Sequence, residues 1–155
     1  MPATRFHTAA RVLGPLAAAL ALAAAPPALA SLGDEVASVE RDRAVLNGVT
    51  QVSAGDGYEV HEIAHASGSV RQYVAGGRVF AVTWEGSAVP DLALLLGDYH
   101  PRYASLIVPQ PGNHHVVSVA ANGLSVHTQT ILRSHRGQVV ATSIAPPKTV
   151  FASLR

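Results

Sequence analysis

Cysteine is absent from this 155-residue chain. That excludes disulfide staples, thiol nucleophiles, thiolate metal sites and a lipid-modified N-terminal cysteine. The fold therefore rests on core packing alone, and imidazole is the one strong metal-ligand type left. Charge is scarce too: 14% of residues are Asp, Glu, Lys or Arg, with 11 basic against 10 acidic and no Lys/Arg run. A near-neutral surface of this kind argues against nucleic acid or an anionic membrane as partner. Aromatic residues make up 5% of the chain, with a single tryptophan, Trp84. No apolar run approaches the ~20 residues that a transmembrane helix needs. Also missing are a G-x-S-x-G elbow, a phosphate-binding glycine loop and a dinucleotide fingerprint, so no cofactor is expected.

What the chain does have begins with a leader. Arg5 and Arg11 form a basic region, Leu16 to Ala25 is uninterruptedly apolar, and Ala28-Leu29-Ala30 supplies the small-x-small pattern of a signal-peptidase site. Residues 1–30 are expected to be a signal peptide cleaved before Ser31, sending the protein to the periplasm or beyond without a membrane-spanning segment. The mature residues 31–155 are enough for a single small α+β domain. They retain nine basic residues against ten acidic ones, and seven of the eight histidines.

Periodicity divides the mature chain into short elements. Ser31 to Asn47 reads as a helix capped by Asp34 and stopped by Asn47-Gly48. Thr50–Ser53 reads as a weak first strand. Three strands follow, Tyr58–Ala64, Val70–Val74 and Val79–Trp84, with Gly76-Gly77 as the tight turn of the second hairpin. In the last of them the large residues at 80, 82 and 84 suggest one half-buried face. A second helix is expected from Pro90-Asp91 through Leu92, Leu95 and Leu96 to Gly97, with a break at His100-Pro101. The Pro109–Asn113 stretch reads as a loop. His115–Ala120, Leu124–Arg133 and Gln138–Ile144 read as strands with turns at Asn122-Gly123 and His135-Arg136-Gly137, followed by a loose tail. The sum is an α+β fold: an antiparallel sheet built from a three-stranded meander and C-terminal hairpins, with one or two short helices on one face.

One stretch carries catalytic-looking chemistry. His61-Glu62-Ile63-Ala64-His65 matches H-E-x-x-H, in which two histidines one helical turn apart hold zinc and the glutamate activates the bound water. His61 and His65 as ligands, with Glu62 as base, would make a zinc-dependent peptidase. The motif works only on a helix, and the glycines at 55, 57 and 68 leave little room for one. On a strand, the two histidines stand about 13 Å apart, too far to share an ion. Of the other histidines, His114, His115, His127 and His135 are read as scattered and solvated. Glu59, Glu62 and Glu85 invite a paired-carboxylate hydrolase, but Glu59 and Glu62 face opposite ways on a strand. Tyr58, Tyr73, Phe80 and Trp84 are read as core rather than as a binding surface.

These residues also carry a resemblance. Tyr58-Glu59-Val60-His61-Glu62, Ser67-Gly68, Val70-Arg71-Gln72-Tyr73-Val74, Val79 to Gly86, Pro90-Asp91-Leu92 and Leu95 to Tyr99 resemble the domain-of-unknown-function 2844 family of small exported bacterial proteins. The family pattern keeps the pair corresponding to His61-Glu62 without requiring a histidine at the place of His65. The resemblance thus implies a strand there and carries no catalytic residue, since the family has no assigned activity. The expectation is a non-catalytic binding or structural module of the cell envelope, with an envelope protein, a glycan or a small ligand as partner. The zinc hydrolase is the alternative.

Overall fold

The computed structural model describes residues 32–107, 115–147 and 149–154. They build an antiparallel sheet of seven strands: β1 (Val49–Ala54), β2 (Glu59–His65), β3 (Gly68–Ala75), β4 (Arg78–Gly86), β5 (Val116–Ala121), β6 (Leu124–Ile131) and β7 (Ser134–Ala141). Their order across the sheet is β1-β2-β3-β4-β7-β6-β5, so a meander and a pair of hairpins meet along one central seam between β4 and β7. Local chemistry explains most of the turns. Gly76 and Gly77 both take positive φ, as does the Asn122-Gly123 pair, which is the backbone twist that two-residue hairpins need.

Three helices share one face of the sheet. Helix α1 spans Ser38–Leu46, α2 Leu92–Leu96 and α3 His100–Leu106. Their Val39, Leu95, Leu96 and Tyr103 pack with Ile63, Val70, Val82, Trp84, Val126 and Val139 in one buried cluster. The opposite face carries a smaller cluster of Tyr73, Phe80, Ala81, Val140 and Leu154. Buried on both sides, β4 reads as a continuous apolar run.

Several expectations require correction. Asp34 does not cap α1, which starts only at Ser38. Residues 33–36 instead run beside the start of β4: Gly33 N–H donates to Val79 O, Val79 N–H to Asp34 O, and Val36 N–H to Gly77 O. At the other end of α1 the expected stop is present, with Asn47 in the left-handed conformation at φ 50°. Asp91 lies just outside α2 and caps it, its Oδ1 accepting from the N–H groups of Ala93 and Leu94 at 3.0 and 3.1 Å.

The break expected at His100-Pro101 falls earlier, at Gly97 and a short 3-10 turn through Tyr99. Proline disfavours a helical residue before it, but its own missing N–H costs nothing in a first turn, and here His100 and Pro101 open α3. His135-Arg136-Gly137 is not a turn but part of β7. The chain reverses at Leu132, which sits at φ 54° and is 95% exposed. Phe80 points away from Val82, because a bulge places both Val79 and Phe80 opposite Val74. Finally, the end of the chain is not loose: Leu154 is buried, and Gln138 Nε2 donates to Phe151 O at 2.6 Å. The Pro109–Asn113 loop lies outside the described residues.

Candidate ligand-binding site

The strand register sorts the polar side chains onto the face opposite the helices. Cross-strand partners point the same way. Following the pairs from edge to edge gives one row: Gln51, Glu62, Arg71, Thr83, Gln138, His127 and Ser118. The next row on this face runs through Ser69, Glu85, Arg136 and Gln129. On the other side of the first row lies an apolar one, Val60, Tyr73, Ala81 and Val140. The C-terminal segment packs against that apolar row through Phe151 and Leu154. It thereby raises a wall along the polar rows, and between wall and rows lies a cleft of about 560 Å³.

Two ion pairs organise the cleft. Arg71 binds Glu62 with two parallel bonds, Nε to Oε2 at 3.0 Å and Nη2 to Oε1 at 3.1 Å. This contact lifts the Arg71 guanidinium above its ordinary pKa. Arg136 Nη2 donates to Glu85 Oε1 at 2.6 Å. At the floor, Thr83 Oγ1 lies 3.4 Å from the Tyr73 hydroxyl, and burial pushes that phenol upward in pKa. Among the described residues, the side chains of Ser69, His127 and Gln129 have no hydrogen-bond partner within the protein.

The side chains gathered here can hydrogen-bond and ion-pair with a ligand. Ser69 on β3 and His127 on β6 are three strands apart, about 14 Å, so they cannot act as nucleophile and base. Glu62 and Glu85 share the face: Glu62 is bound through both oxygens to Arg71, and Glu85 through one oxygen to Arg136.

The H-E-x-x-H segment lies elsewhere in function if not in sequence. It forms β2. Strand alternation puts His61 and His65 on the helix side and Glu62 on the opposite face, beside Arg71. His61 Nε2 lies 3.4 Å from Glu59 Oε2, and His65 Nδ1 lies 3.2 Å from Ser67 Oγ. Among the described residues no three His, Asp or Glu side chains converge to hold a metal. His135 sits in β7 beside Thr130, with Nδ1 3.3 Å from its hydroxyl, and His114 lies outside the described residues. Tyr73, Phe80 and Trp84 are core as expected, and Tyr58 packs partly buried against the first two; its ring meets those of Tyr73 and Phe80 edge-on at 5.8 Å, and Tyr73 and Phe80 lie tilted at 6.3 Å.

A family model described as "Protein of unknown function (DUF2844)" matches residues 28–152. The chain belongs to the DUF2844 family. No curated protein and no solved structure matches it. In this DUF2844 member the polar residues of the cleft come from both halves of the matched region, Ser69, Arg71, Thr83 and Glu85 from the meander and His127, Gln129 and Arg136 from the hairpins. Sequence reasoning passed over the second set. Its signal was the i, i+2 pairing of polar residues, His127 with Gln129 and Arg136 with Gln138, hidden because 135–137 was read as a turn.

Proposed function

We propose that this protein is exported by its N-terminal leader and serves as a non-catalytic binding module of the cell envelope, taking its ligand in the cleft beside the C-terminal segment. The observation that carries this reading is the cleft's composition. Two neutralised arginine–glutamate pairs stand among polar side chains without internal partners, and no nucleophile is paired with a base. A near-neutral surface is compatible with an uncharged partner in the envelope and gives no electrostatic footing for nucleic acid. Among the described residues no helix is long and apolar enough to cross a membrane.

The test is a thermal-shift screen of the mature protein against soluble oligosaccharides, short peptides and small organic acids, run beside a Glu85→Ala/Arg136→Ala variant. Both residues are about half exposed, 49% and 60%, so the variant folds. At least one class is expected to raise the melting temperature of the parent and to lose that effect in the variant. Equal shifts in both proteins, or none with any class, contradict the reading.

A further inference from the structure

We infer that the ligand of this cleft is a neutral saccharide; the inference rests on the binding reading above and narrows it to a chemical class. Charge is the first argument. Arg71 is matched by Glu62 and Arg136 by Glu85, so the cleft's field favours neither an anion nor a cation. An anionic ligand meets the Glu85 carboxylate, and finds the Arg71 guanidinium already held by Glu62 behind the lining.

The second argument is the kind of valence left open. Arg136 makes one bond to Glu85, leaving Glu85 Oε2 and Arg136 Nε and Nη1 without a protein partner among the described residues. A carboxylate oxygen only accepts and a guanidinium only donates. Neighbouring sugar hydroxyls, each both donor and acceptor, satisfy the two at once, one donating to Glu85 and the next accepting from Arg136. The Gln129 amide on the adjacent strand adds a donor and an acceptor within one side chain. Phe151, half-buried in the wall, supplies apolar surface for the C–H face of a ring.

A peptide fits less well. One main way an extended peptide binds a sheet is by adding a strand at its edge. The cleft instead lies over β3, β4, β7 and β6, which are interior strands already paired on both sides. Its volume of about 560 Å³ falls within the roughly 300–1,000 Å³ of small-molecule sites and suits a short oligosaccharide.

Isothermal titration of the mature protein with tri-N-acetylchitotriose, cellotriose and maltotriose tests the class, with trigalacturonic acid and an uncharged tetrapeptide alongside. At least one neutral trisaccharide is expected to bind at one site per chain. Glu85→Gln and Gln129→Ala are each expected to weaken it by about ten-fold, the worth of one hydrogen bond to a ligand, while circular dichroism shows both variants folded. If the acidic sugar or the peptide binds in the cleft and no neutral sugar does, the inference falls and the binding reading stands. If no probe binds and the thermal-shift screen is also blank, both fall together.

Discussion

Gly137→Ala is expected to destabilise the protein by roughly 3 kcal/mol, the upper end of what overpacking a core costs. Gly137 on β7 stands directly opposite Trp84 on β4, at the seam where the two halves of the sheet join. The indole lies against the glycine backbone. A methyl group there would sit 1.9 Å from Cζ2 and 2.2 Å from Cε2 of the ring. Trp84 is only 4% exposed and packs among the helix-side core residues, so the ring has nowhere to retreat. Urea unfolding followed by far-UV circular dichroism measures the loss. The cause is checked by repeating it in a Trp84→Leu background, where the added methyl finds space. There the penalty should shrink by about 1 kcal/mol or more, the coupling expected of two side chains in contact. A penalty unchanged by Trp84→Leu shows that the indole is not what excludes a side chain at 137.

Stability should also depend on pH in an unusual direction, because of Asp42. This residue of α1 is fully buried and faces Gln72 of β3, whose Nε2 donates to Asp42 Oδ2. Burial raises its pKa from 3.8 to about 7, against smaller lowering effects of Gln72 and Arg41. Asp42 Oδ1 and Gln72 Oε1 are left without partners, and a proton on the carboxyl gives this pair the donor it lacks. The folded-state value lies above the unfolded one, so the unfolded chain loses its proton first. Stability is therefore highest below about pH 4 as far as this group is concerned, falls between about pH 4 and pH 7, and levels off above. The full drop is up to about 4 kcal/mol. Asp42→Asn keeps the shape and removes the titration. The variant is expected to show a flat profile across this window, matching the parent near pH 4 and exceeding it by a few kcal/mol at pH 8. A parent whose stability rises from pH 4 to pH 7 contradicts the assignment.

How much was legible in the sequence follows from where local chemistry and tertiary packing agree. The meander was readable because β-branched and aromatic runs alternate between glycine turns, and Gly76-Gly77 and Asn122-Gly123 do adopt the positive φ values their side chains permit. The turn after β6 was not, because it places a leucine, Leu132, in a left-handed conformation that residue type rarely takes. Misplacing that turn by three residues hid Arg136 and Gln138 from the polar face. The bulge at Phe80 flips a large side chain to the other layer, which no strict period of two can anticipate. The wall of the cleft was illegible for a third reason. Phe151 and Leu154 look like a tail after Pro146-Pro147, and only the apolar row that receives them makes them part of the core. The H-E-x-x-H match shows the converse. Its residues are all present, but the strand they form divides them between two faces.

The proposed ligand site is the cleft face of the sheet, not the H-E-x-x-H histidines. Amide-resolved NMR of the mature protein, titrated with whichever probe gives the largest thermal shift, tests it most directly. Saturable shifts are expected at Ser69, Thr83, Gln129 and Gln138, with the ring signals of His61 and His65 unmoved. Shifts that gather on His61 and His65 and spare the cleft would contradict it.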